Sequence, residues 1–132
     1  MPFSVALLAS PRRATFRFAG ETTPLDVRDA CLRVLDLPDW EPGTPQVWDF
    51  SGVSRLNVDA ESWAALLVAS RENQSRIGRN RVAVVSQNED LSAFLDLYAR
   101  ASRSSGRTFH LAKDAKEAHD WIDAPTPSES RS

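Results

Sequence analysis

The residues of this chain whose types and spacing suit chemistry gather in one stretch, VWDFSGVSRLNVDAESWAALL, Val47 to Leu67. An apolar run ends at Asp49, a small polar segment carries Ser54 and Asn57, and Asp59, Glu61, Ser62 and Trp63 lead into a second apolar run. The Asp49 carboxylate can hold a partner's backbone N–H groups or contribute to a cation site. An acid at the end of a strand more often accepts hydrogen bonds from the turn that follows it, and that reading is favoured here. Asn57 and Asp59 both suit a helix N-cap, where a side-chain oxygen accepts an otherwise unpaired backbone N–H, and one of the two is expected to fill that position. Glu61 then falls in the first helical turn, where the helix dipole stabilises an acid by about 0.3–1 kcal/mol. Ser54 and Ser62 carry hydroxyls that a kinase can modify, although most surface serines have no such role.

Conventional catalysis finds little support. His110 and His119 are accompanied by no Cys-x-x-Cys or His-Glu-x-x-His spacing, so no metal site is expected. There is no Gly-x-Ser-x-Gly elbow, and five glycines leave little material for a phosphate-cradling loop. No catalytic residue and no cofactor is assigned. Cys31 falls on the apolar stripe of a helix with nothing basic beside it to lower its pKa, which makes it a core residue. Arg71, Arg76, Arg79 and Arg81 form one basic run, and Arg100, Arg103 and Arg107 form another. Both fall at helix ends, where cations complement the carbonyl end of the dipole, and no aromatic stacking platform accompanies them, so no nucleic-acid partner is expected. The 14 arginines against two lysines fit genomic base composition better than a function. Trp40, Trp48 and Trp63 remain as residues able to line a pocket for an apolar or anionic ligand. Trp63 alone is either an exposed protein contact or a staple holding its helix to the sheet.

The elements that must position these groups are legible as periodicities. The 132 residues suit one domain, and 42% apolar with 26% charged residues is the composition of a soluble globule. A net charge of −2 gives no general attraction to nucleic acid or anionic membrane. The single cysteine excludes an internal disulfide and fits a reducing cytosol. No apolar run is long enough to span a bilayer, so no membrane insertion and a cytoplasmic location are expected. FSVALLAS and ATFRFAG alternate with period two around a PRR connection and read as an antiparallel hairpin. Thr23 and Pro24 start a helix whose stripe is Val27, Ala30, Cys31, Val34 and Leu35. PQVWDF reads as a strand and DAESWAALLVASRENQSRIG as one helix closed by Gly78. RVAVVS suits a central strand buried on both faces. A helix with Leu91, Phe94, Leu95, Tyr98 and Ala99 on one side stops at Gly106, TFHLA forms a last strand, and Asp114 with Glu117 opens a last helix. Residues 1–123 are expected to form the domain, and residues 124–132 a disordered tail. The order is β-β-α-β-α-β-α-β-α.

A hairpin, then a strand ending WDFSGVSRL, then a helix containing WAALL resembles the sulfate-transporter and anti-sigma-factor-antagonist (STAS) domains, and more closely their small stand-alone bacterial relatives with a SpoIIAA-like fold. The resemblance spans about Phe3 to Ile122. It implies an α/β domain with a mixed, mostly parallel sheet of four or five strands and four helices packed mainly on one side. It also implies a non-enzymatic interaction or regulatory module with a protein partner; homodimerisation is left open. The implied interaction surface comprises Asp49, Ser54, Asn57, Asp59, Glu61, Ser62 and Trp63. Switch members of the family carry an Asp-Ser-Ser-Gly-like motif whose second serine accepts phosphate. Aligned on WAALL, that motif falls on Asp59, Ala60, Glu61 and Ser62. Glu61 then replaces the acceptor, and the preceding turn is about two residues longer, so the serine switch is expected to be absent. Lipid-transfer domains of the CRAL-TRIO type share this fold, which makes a small-molecule or lipid-binding module the alternative.

Overall fold

The two-residue alternation at the start of the chain folds as a hairpin. In the computed structural model, which describes residues 3–9, 11–87, 89–102 and 106–124, β1 (Phe3–Ala9) and β2 (Arg12–Thr22) pair antiparallel, with Phe3 opposite Phe18 and Val5 opposite Phe16. The connection is shorter than PRR suggests, because Arg12 and Arg13 already belong to β2. Phe16 and Phe18 are buried while Arg17 is exposed, as period two requires.

Helix α1 (Pro24–Leu35) starts where its local chemistry demands. Thr23 is the N-cap, Pro24 takes the first helical position, and the Thr23 backbone N–H donates to the Asp26 carboxylate at 2.9 Å. Its stripe of Val27, Ala30, Cys31, Val34 and Leu35 is buried throughout.

Two elements differ from the periodicity. Strand β3 (Gln46–Leu56) does not stop at Phe50, where PQVWDF ends. Its second half stays extended because β2 runs long beside it, placing Ala19 against Gly52, Gly20 against Val53 and Thr22 against Leu56. The single helix expected after it is two, α2 (Ala60–Glu72) and α3 (Gln74–Ile77), so the chain has five helices and not four among the described residues. The break is at Asn73, whose ψ of 15° leaves the helical range. Its side-chain Nδ2–H donates to the Ala69 carbonyl at 2.9 Å, an alternative to the helical ladder that asparagine readily offers. Gly78, at φ 77°, then closes α3.

The remaining elements are β4 (Arg81–Val85), α4 (Glu89–Ala101), β5 (Thr108–Ala112) and α5 (Ala115–Asp123). Ser10, Arg103 and the tail from residue 125 lie outside the described residues. The expectation of a disordered tail falls there, apart from Ala124. The sheet runs β1-β2-β3-β4-β5, antiparallel only between β1 and β2. Strand β4 lies inside it, with Val82 and Val84 fully buried on one face and Ala83 and Val85 buried on the other. The strand at the geometric centre is β3.

Helices divide unequally between the faces. α1, α2, α3 and α4 cover one face, where Phe16, Phe18, Trp48, Phe50, Val82 and Val84 meet Val27, Val34, Leu66, Phe94 and Tyr98. On the other face α5 alone packs Ala118 and Ile122 on Val47, Ala83, Val85 and Ala112. Arg81 fastens α5 by donating to the carbonyls of Trp121 at 2.9 Å and Ile122 at 3.0 Å, with its guanidinium 5.6 Å from the Trp121 ring centre. No helix is long and apolar enough to cross a membrane among the described residues.

Candidate functional site

Each polar residue of the β3–α2 junction has a local reason for its position. Asp49 sits within β3, half-buried, and its Oδ1 accepts the Ser51 N–H at 2.9 Å and the Ser51 hydroxyl at 2.6 Å. This is the turn-type pairing expected of it, made inside a strand. Asn57 is not the cap: its Nδ2–H donates to Glu21 Oε1 at 2.8 Å and its backbone N–H to the Thr22 carbonyl at 2.9 Å, tying the end of β3 to β2. Asp59 is the N-cap of α2, and its Oδ1 accepts the Ser62 N–H at 2.7 Å. That backbone hydrogen bond, joined by one from the Ser62 side chain, holds the Asp59 carboxyl below its ordinary pKa.

Burial separates the remaining candidates. Ser62 is only 3% exposed, and its hydroxyl donates to the Asp59 carbonyl at 3.3 Å. Ser54 and Glu61 are exposed. Trp63 turns inward between α2 and α4, edge-on to Phe94 with ring centres 5.5 Å apart and to Tyr98 at 6.2 Å. Asp59 and Glu61 therefore face solvent together at the start of α2, beside Val58, while Ser62 and Trp63 face the core.

The three tryptophans do not converge. Trp48 is fully buried, stacked between Phe16 and Tyr98, and donates to Gln46 Oε1 at 2.9 Å. Trp63 shares Tyr98 with it. Trp40 is held elsewhere by a 2.8 Å hydrogen bond from its Nε1–H to the Arg76 carbonyl. The grooves near the carboxyl ends of the strands have other walls. One, of about 410 Å³, lies among Phe50, Ser51, Val53, Val85, Gln87 and Lys113, where β3 runs on past the end of β4. A second, of about 360 Å³, lies on the sheet face at Arg17, Ala19, Asp49 and Gly52.

Both histidines have side-chain partners. His110 Nε2 meets Glu117 Oε2 at 3.1 Å and its ring stacks on Trp121 at 5.0 Å. Arg13, 3% exposed, donates to His119 Nδ1 and to Asp123. Among the described residues no three His, Cys, Asp or Glu side chains are grouped to hold a metal ion. Of the arginines read as helix-end cations, Arg76 and Arg81 serve that role at the ends of α1 and α5. Arg107 does not: it is buried, and nothing in its sequence neighbourhood signals that.

Comparison with known proteins bears on the fold alone. No protein-family model matches the chain, and no curated protein is similar to it by sequence. Among solved structures it is similar to an uncharacterized protein of the DUF3478 family with a SpoIIAA-like fold from Shewanella loihica PV-4. The TM-score is 0.63 at 16% identity, over 91% of this chain and 93% of that one. This five-stranded α/β chain has a SpoIIAA-like fold.

Proposed function

We propose that this domain is a non-enzymatic protein-docking module whose contact surface is the outward face of α2 with the acidic start of that helix. One observation carries the reading. α2 turns Ala60, Ala64 and Val68, at i, i+4 and i+8, to solvent, on the face where a helix with one buried side ordinarily places charged and polar groups. Val68 is 49% exposed, and Val58, just before the helix, is 48% exposed. Asp59 and Glu61 stand at the same end. A partner of matching chemistry brings an apolar segment flanked by Lys or Arg.

Docking of this kind is constitutive. Glu61 supplies a fixed charge where switch members of the resembled family carry a phosphorylated serine, whose charge is nearly −2 at neutral pH. The Ser62 hydroxyl is turned away from any kinase. Asp59 acts as a cap, Asp49 accepts from Ser51, and Glu21 accepts from Asn57 and ties β3 to β2. The hydrophobic-ligand alternative is less well supported, because Trp48 is committed to the core, Trp63 packs half-buried against Phe94 and Tyr98, and Trp40 is held by a backbone carbonyl.

The test is affinity capture with the tagged full chain and with Val68→Asp, Glu61→Lys and, as a distant surface control, Leu111→Asp. The two α2 variants should lose the specific partner by roughly tenfold or more, the loss that follows from removing an interface anchor. Thermal melting should stay unchanged, and phosphatase or kinase treatment should leave capture unaltered. Equal recovery by folded Val68→Asp and the unmodified chain would refute the surface.

A further inference from the structure

Among the described residues, Arg107 is a buried cation without a carboxylate. It stands just ahead of β5, 7% exposed, with its guanidinium 5.2 Å from the ring centre of Phe109, 5.8 Å from Trp48 and 5.9 Å from Tyr98. Nε–H donates to Asn80 Oδ1 at 3.2 Å, one terminal nitrogen to the Tyr98 hydroxyl at 3.0 Å, and the other to Gln46 Oε1 at 3.3 Å. All three acceptors are neutral side chains, and none is a helix-end carbonyl. Among the described residues no Asp or Glu forms an ion pair with it. A charge withdrawn from water without a counter-ion is costly, and aromatic faces offset only part of the loss. A guanidinium has five N–H donors. Three are used, so one remains on each terminal nitrogen, enough to hold two oxygens of one anion.

The residue borders a pocket. A cavity of about 190 Å³ at the amino ends of the parallel strands is lined by Arg107, Ser70, Arg71 and Gln74, with Leu67 and Ile77 as apolar wall. Ser70 Oγ lies 2.6 Å from the Tyr98 hydroxyl, the same oxygen that accepts from Arg107, so the pocket's hydroxyl and its cation belong to one network. Arg71 is exposed at the mouth and engages no carboxylate among the described residues. The carbonyl ends of α2 and α4 disfavour an anion here by about half a charge each, which two full arginine charges outweigh. The room equals several waters, at about 30 Å³ each, and exceeds what a bare ion needs.

We infer that this pocket binds a phosphate group, as the free ion or as the monoester of a small molecule. Arg107 grips it from the floor, Arg71 closes on it from the mouth, and Ser70 and Gln74 supply neutral donors. Paired arginines with neutral donors on further sides suit a tetrahedral dianion better than a flat, singly charged carboxylate. The site lies at the opposite end of the strands from the start of α2, at the far end of the helix whose outward face forms the docking surface.

The test titrates the full chain with inorganic phosphate and with glycerol 3-phosphate, against chloride at matched ionic strength, following the arginine Nε–H signals by NMR and the melting temperature. Both probes should shift the Arg107 signal saturably and raise the melting temperature. Tighter binding of glycerol 3-phosphate assigns a monoester, and equal or weaker binding assigns the free ion. Arg71→Ala should weaken binding roughly tenfold, the loss of one charge-assisted contact, with unchanged melting in chloride. Arg107→Lys keeps the charge and loses the two-point grip; if it does not fold, Arg71→Ala and Ser70→Ala decide the matter. No saturable shift at millimolar concentration, or unchanged affinity in Arg71→Ala, would overturn the site.

Discussion

Asp59 and Ser62 act as one unit, and the pH dependence of that unit follows from its geometry. The Asp59 carboxylate is ionised while it accepts the Ser62 N–H, so its pKa in the folded chain lies below the ordinary 3.8. A group whose pKa is lowered on folding stabilises above its unfolded pKa and ceases to do so as pH falls through its folded value. The stability difference between the unmodified chain and Asp59→Ala should therefore be full at neutral pH and shrink below about pH 4, as followed by denaturant melts across the acid range. A constant difference down to pH 2 would remove the cap from the account. Cys31 behaves oppositely: burial pushes its thiol up to about 11, only partly countered by the nearby charge of Arg107. Its reaction with a thiol reagent at neutral pH should proceed only as fast as the chain opens, and a native-state rate near that of a free thiol would refute this. The core position of Cys31 is legible because it rests on a helical stripe. The burial of Arg107 is not, since whether an arginine ahead of a short strand turns inward depends on Gln46 and Asn80, which lie far away in sequence.

Elements whose ends are set by neighbouring residues are legible, and those set by distant pairing are not. Thr23, Pro24 and Asp26 announce α1, because the cap, the proline and the first-turn acid lie within four residues. The outer half of β3 carries Ser51, Gly52, Ser54 and Arg55, weak strand formers, and stays extended because β2 supplies partners out to Thr22. The Asn73 break is equally hidden, since asparagine is compatible with a helix until its side chain takes the Ala69 carbonyl. The stop at Gly78 can be tested. A Cβ there would lie 2.5 Å from the Gly43 nitrogen, on a backbone at φ 77°. Gly78→Ala must strain the backbone and displace the Pro42–Gly43 turn, and should destabilise by roughly 2–3 kcal/mol in a denaturant melt. A loss under about 0.5 kcal/mol, the usual range for a surface substitution, would show that the turn yields freely. Trp63 is a part of its element in the same sense. Trp63→Ala should cost about 3 kcal/mol by removing the edge contacts between α2 and α4, and any loss of partner capture should follow that instability.

At the scale of the molecule, the sheet is laid down in chain order, without the reversal that opens a ligand crevice at the strand ends of other α/β folds. The polar junction after β3 consequently forms a surface, and the buried cation lies at the other end. The same order gives the chain one heavily covered face and one thinly covered face. Four helices seal the first around Trp48, while α5 alone covers the second and contributes only Ala118 and Ile122 as buried residues. What holds α5 is largely polar and lies at its rim, in the Arg13–Asp123 pair and the Arg81 contacts to its last carbonyls. An element with few buried apolar contacts opens at a free energy below that of the whole fold. Native-state hydrogen exchange should therefore show the α5 amides exchanging through a local opening, well before those of Val82 to Val85 in β4. Ile122→Ala should lower the α5 opening energy and the global stability by the same amount, because the opened and the unfolded states have both already lost that contact, so the gap between the α5 and β4 exchange energies should stay fixed. Exchange of α5 and β4 with one common free energy would show that α5 is locked into the global unit and that the thin face is as firmly built as the thick one.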